Sequence, residues 1–107
     1  MNRFLIGQYG GFDYGKFRCD YRPEFYGIEA CLFADEADVA SLIREARAGG
    51  FQIGIHFPLR AEQAVPRDAL MLSTDERTRK IAFERVEQEL EYVSALNPAY
   101  MLFHYPK

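Results

Sequence analysis

Four short apolar runs interrupt a more polar chain: RFLIGQ at 3–8, YGIEACLF at 26–33, FQIGIHFPL at 51–59 and YMLFHY at 100–105. Each is nearly continuously apolar, which is the pattern of strands covered on both faces, as in parallel sheets. Between the second and third runs, Val39, Leu42, Ile43 and Ala46 recur at the i, i+3, i+4, i+7 spacing of one buried helix face. Asp35 is a good N-cap, and Glu36 and Asp38 put negative charge in the first turn, where the helix dipole favours it. Gly49 and Gly50 end this helix.

A longer helix is predicted before the fourth run, with Ala82, Phe83, Val86, Leu90 and Val93 as its apolar stripe. Ser73-Thr74-Asp75-Glu76 opens it as a capping box, in which serine and glutamate satisfy each other's free backbone donors, and Asn97-Pro98 stops it. Glu84, Glu87 and Glu91 read as its solvated face. Residues 9–25, rich in tyrosine and glycine, read as a long loop with at most one helical turn, and residues 60–72 as a second loop. Alternating strands and helices predict right-handed βαβ crossovers and a parallel α/β sheet, in one domain over residues 1–107.

Charge and composition narrow the partners. The net charge is −3 and the thirteen Lys and Arg are scattered, so no basic field suits a phosphate backbone and nucleic acid is not favoured. No apolar run approaches the roughly 20 residues of a membrane span, and the opening apolar stretch is too short for a signal peptide. The cytoplasm is the expected location. Cys19 and Cys31, without CxxC spacing, are expected as free thiols in a reducing compartment, with Cys31 a small core residue.

The chain has only two histidines, and both lie near the ends of apolar runs, His56 in GIHFPL and His104 in FHYP. Side chains alternate along a strand, so Gln52, Gly54 and His56 share one face, and Leu102 and His104 share one face. Both histidines then sit at the C-terminal ends of neighbouring strands, where (β/α) barrels and open α/β sheets place their chemistry. Glu29 interrupts the second run, and a carboxylate inside a strand costs several kcal/mol unless a cation, a metal or hydrogen-bond donors compensate it. It either joins the two histidines at one polar site or pairs with Arg3 or Lys16. Imidazole nitrogens and a carboxylate suit Zn, Mn, Fe or Co, with harder ligands favouring Mn or Mg. The tyrosines, Tyr9 among them, either stack on a sugar or pack over the mouth of the site.

In order and spacing, GIEACLF, GIHFPL and NPAYMLFHYPK resemble the sugar phosphate isomerase/epimerase family of the xylose-isomerase-like TIM barrels, a superfamily that also holds metal-dependent apurinic-site endonucleases. The resemblance implies the N-terminal half, about four β/α units, of a (β/α)8 barrel. It implies that Glu29, His56 and His104 line a substrate pocket, to which the tyrosine-rich segment adds Tyr9 as a candidate, and that His56 and His104 are candidate ligands of a divalent metal. The implied activity is metal-assisted proton transfer next to a carbonyl of a small sugar or sugar phosphate. Its catalytic carboxylates are expected on later strands, outside this chain, and the open barrel face is a candidate surface for self-association. Two rival readings are an endonuclease-like phosphodiester hydrolase and a non-catalytic small-molecule binding domain.

Overall fold

Side-chain caps decide where the helices begin. In the computed structural model, which describes residues 3–63 and 71–104, the elements run β1 (Leu5–Tyr9), α1 (Tyr14–Asp20), β2 (Gly27–Phe33), α2 (Glu36–Gly49), β3 (Gln52–Arg60), a 3-10 turn (Ala61–Gln63), α3 (Glu76–Ala95) and β4 (Tyr100–Leu102). Asp35 caps α2 by accepting from the Ala37 amide at 2.9 Å, and Gly50 closes it in the left-handed region at φ 68°. Val39, Leu42 and Ala46 are its buried face, as their spacing predicts.

Three expectations about the helices need correction. First, 9–25 holds a seven-residue helix, α1. Its N-cap Asp13 accepts from Lys16 N at 3.1 Å, and the amide of the buried Gln8 grips the Asp13 backbone in both directions, at 3.2 and 3.1 Å. Phe12, Tyr14, Phe17 and Tyr21 then pack into the core, the Phe12 ring meeting Tyr14 at 4.9 Å and Phe17 at 5.4 Å, and Phe17 meeting Tyr21 at 5.1 Å. Most of this segment's aromatic residues are therefore structural. Second, α3 is capped by Asp75, which accepts from Thr78 N at 3.1 Å, while Ser73 only steadies the Asp75 amide. Third, the buried face of α3 is Ala82, Val86, Glu89 and Val93, which leaves Phe83 46% exposed on its flank.

The strands form one parallel sheet in the order β1-β2-β3-β4. Ile28, Ala30 and Ile55 point to one face and pack against Val39, Leu42 and Ala46 of α2 and Val93 of α3, with Tyr14 and Phe17 of α1 joining the same cluster. The other face carries Leu5, Gly7 and Tyr9 of β1, Glu29 and Cys31 of β2, Gly54 and His56 of β3, and Tyr100 and Leu102 of β4, aligned by register. Continuous apolarity predicts cover on both faces, yet among the described residues this second face is not part of the core cluster, and Tyr9 and Leu102 on it are exposed. Cys31 accordingly stands half-buried beside His56 rather than in the core. The fourth strand is shorter than 100–105: Phe103 and His104 follow it, and the rest of that run lies outside the described residues. Among the described residues, no helix is long and apolar enough to cross a membrane.

Near the end of β2, a left-handed Leu32 (φ 52°) accompanies a shift in register that brings Arg60, at the end of β3, opposite Phe33. From there the Arg60 amide and Nε both donate to the fully buried carboxylate of Glu89, at 2.6 and 2.7 Å, and its guanidinium lies 3.9 Å from the centre of the Tyr92 ring. The contact ties α3 to the strand that carries His56. Glu89→Leu takes away the acceptor of the Arg60 amide and leaves the Arg60 guanidinium to Glu36 and Glu62, each 3.7 Å away. Leaving a buried donor without its acceptor costs about 1–3 kcal/mol, so Glu89→Leu is expected to destabilise the fold by about that much, whereas Glu87→Leu on the exposed face shifts stability by about 0.5 kcal/mol or less; urea denaturation followed by circular dichroism checks both.

Candidate functional site

Register assembles the site before any side chain is considered. Gly7, Glu29, Gly54 and Tyr100 form one cross-strand row, and Tyr9, Cys31, His56 and Leu102 form the next toward the C-terminal ends. Neighbouring strands lie about 4.8 Å apart, so side chains in these rows on adjacent strands reach one another directly.

Glu29 is where they meet. The Tyr100 hydroxyl donates to its Oε1, and His56 Nδ1 lies 3.4 Å from its Oε2. On the far side of the imidazole, His56 Nε2 lies 2.7 Å from His104 Nε2, with the rings edge to face at 4.8 Å. An ionised carboxylate only accepts, so a hydrogen bond between it and His56 requires the proton on Nδ1, and a neutral ring then has an Nε2 lone pair able to accept from His104. The result is a continuous line, Tyr100–Glu29–His56–His104, drawn from β2, β3 and the β4 segment. Glu29 and His56 are only 29% and 27% exposed, while His104 is exposed at the rim.

The structure thus brings Glu29, His56 and His104 together. It removes the alternative partners of Glu29: Lys16 bonds the Gly7 carbonyl at 2.8 Å, and Arg3 stacks over Tyr26. Tyr9 shares the face, one strand beyond Cys31, but is 76% exposed. Tyr100 was not among the sequence candidates. Its signal is indirect: Gly54 lies between it and Glu29, and a Cβ on Gly54 would occupy the space of the Tyr100 ring.

Charge at this site acts first on its neighbours. Burial, then the Tyr100–Glu29 hydrogen bond and the carboxylate's charge, raise the Tyr100 phenol far above the ordinary tyrosine range. Burial and the same carboxylate raise the Cys31 thiol. That thiol is therefore a poor nucleophile at neutral pH.

A carboxylate behind one imidazole nitrogen, with the other nitrogen presented outward, is the arrangement that orients metal-binding histidines. Glu29 fits this supporting role and not that of a ligand, since it faces Nδ1, away from His104. Among the described residues no group of three or more His, Cys, Asp or Glu is placed to hold one metal. The two Nε2 atoms, 2.7 Å apart, are hydrogen-bonded to each other. Comparison of the chain with models of protein families, with curated proteins and with solved structures finds no match.

A raised phenol pKa has a defined sign. The folded state favours the protonated phenol, so its contribution to stability is complete below the unfolded value of about 10 and is lost as pH rises toward the folded value. Two expectations follow for 13C-tyrosine NMR and denaturation: the Tyr100 Cζ resonance stays in its protonated position at pH 11, and Tyr100→Phe reduces the fall in stability between pH 9 and 11.

Proposed function

We propose that the four strands are half of a (β/α)8 barrel, with the face bearing Glu29, His56 and His104 as its lumen, and that the chemistry is metal-assisted proton transfer beside a carbonyl of a small sugar or sugar phosphate. The winding supports the barrel. Strands in the order 1-2-3-4, with α1, α2 and α3 contributing to one core cluster, match the winding of a barrel wall; a doubly wound sheet reverses its order and uses both faces. The histidines then stand at the C-terminal end, where barrel enzymes bind substrate.

The observation that carries the chemistry is the backed histidine pair. His56 and His104 would hold a divalent ion of the Zn, Mn or Co kind, with solvent, substrate or strands beyond these four completing its shell. Such an ion polarises the substrate's carbonyl and hydroxyl oxygens and stabilises an enediolate. Glu29 keeps the His56 ring turned outward. The ring of Tyr9, exposed and on the row that also carries His56, would pack against a sugar face. The net charge of −3 and the scattered basic residues support a small substrate over a nucleic acid, and thus this reading over phosphodiester hydrolysis.

Closing such a barrel takes eight strands, supplied by a longer chain or by a second copy across the open face. The test reads metal and proton transfer separately. Native mass spectrometry after exposure to Mn, Co or Zn is expected to show one ion per chain or per closed dimer, with affinity falling at least about tenfold in His56→Ala and His104→Ala and about 10–100-fold in Glu29→Gln. In D2O with the metal present, a panel of aldoses, ketoses and their phosphates is expected to gain deuterium next to the carbonyl for at least one member. Metal retained without any exchange would leave a binding domain, and neither metal nor exchange would overturn the reading.

A further inference from the structure

Glu29 has donors on one side only. On the β1 side its row neighbour is Gly7, and nothing lies within 4 Å of where a Cβ on Gly7 would be. On the β3 side its row neighbour is Gly54, again without a side chain, and the nearest polar side chain along that row belongs to β4, two strands away. Two strand spacings are about 10 Å. Tyr100 covers that distance because its ring lies across the Gly54 backbone and brings the hydroxyl to Oε1 of Glu29.

The consequence passes on to His56. A glutamate side chain has several rotatable bonds, and a single 3.4 Å contact to Nδ1 does not fix it. With Oε1 held by the phenol, Oε2 is the oxygen left to face His56, and the imidazole keeps its proton on that side. The Nε2 lone pair is then directed at His104, 2.7 Å away. We propose that Tyr100 is a positioning residue which, by crossing Gly54, locks Glu29 and through it fixes the tautomer and direction of His56. The proposal deepens the reading of the histidine pair as a functional site and rests on it only for the use to which the pair is put.

Gly54 is as necessary as Tyr100 on this account. Any other residue at 54 puts a Cβ where the ring lies, so the ring has to leave Glu29. Gly54→Ala and Tyr100→Phe should therefore produce the same change at His56, although they alter different strands. Gly54→Ala should also have no further effect once Tyr100→Ala has removed the ring, the non-additivity expected of two residues acting through one contact.

The experiment is long-range 1H–15N NMR on the full chain with labelled histidines, without metal, at a pH where both rings are neutral. Wild type is expected to show His56 with its proton on Nδ1. It should also show nuclear Overhauser contacts from the Tyr100 ring to the Gly54 Hα protons, which the ring current shifts upfield. In Tyr100→Phe and in Gly54→Ala the His56 tautomer ratio should move toward the Nε2–H form by about fivefold, the size one net hydrogen bond sets, while circular dichroism stays that of wild type.

An unchanged tautomer in a folded Tyr100→Phe would overturn the proposal. So would the absence of Tyr100–Gly54 contacts in wild type, a result that needs no variant to fold. The outcome is separable from the metal reading: a locked His56 in a chain that binds no ion and exchanges no deuterium refutes the proposed reaction and leaves the lock standing.

Discussion

A carboxylate placed inside a parallel strand must find donors among the side chains that register brings beside it, and most of this site follows from how Glu29 meets that demand. Its flanking positions on β1 and β3 are both glycine. The demand is met from farther out, by a phenol that crosses a whole strand and by an imidazole one row nearer the strand ends. Leaving the carboxylate half-buried and unpaired would cost more than any one of these contacts contributes. The requirement to satisfy Glu29 thereby orders β2, β3 and β4 relative to one another and fixes which way His56 faces.

The opposite face of the sheet makes that order possible. There Ile28, Ala30 and Ile55 are buried against apolar residues of the helices, so the strands are held by packing that owes nothing to the polar line. Two polar clasps fix the connections. The Gln8 amide grips Asp13 at the start of α1, and Glu89 grips Arg60 at the end of β3. Both clasps sit near the C-terminal ends of strands, where chain direction changes and where Tyr9 and His56 stand. A site on an open face needs such anchoring, because few neighbours surround it to hold its geometry.

Much of this was legible in the residues, for physical reasons that differ by element. The α2 helix was legible from end to end because its cap, its acidic first turn, its apolar spacing and its terminal glycines all agree. The histidines and Glu29 were legible because polar groups inside apolar runs stand out against their surroundings. Tyr100 was not, since a tyrosine in a strand counts toward the apolar pattern and its hydroxyl leaves no trace in it. Glu89 was hidden among Glu84, Glu87 and Glu91, exposed carboxylates on the same helix, although its spacing of three from Val86 and four from Val93 puts it on the buried face. The helix α1 was harder to read: Tyr14, Phe17 and Tyr21 do stand at the i, i+3, i+7 spacing of one helix face, but over seven residues containing Gly15 and followed by Pro23 that spacing is too brief to stand out from a loop, and the Gln8–Asp13 clasp that starts the helix leaves no periodic trace.

The polar line also begins and ends on one short segment. Tyr100 opens it on β4, Glu29 and His56 carry it through β2 and β3, and His104, four residues after Tyr100, closes it. The β4 strand itself is only three residues long, and its backbone pairing alone is a weak guide to register. A slip of one residue would turn the Tyr100 side chain to the helix-covered face and take its donor away from Glu29. The two side-chain contacts therefore clamp a strand that its ladder leaves underdetermined. The same clamp brings the two imidazoles within hydrogen-bonding distance, so that the fit of the last strand and the geometry of the candidate site are set by one set of bonds.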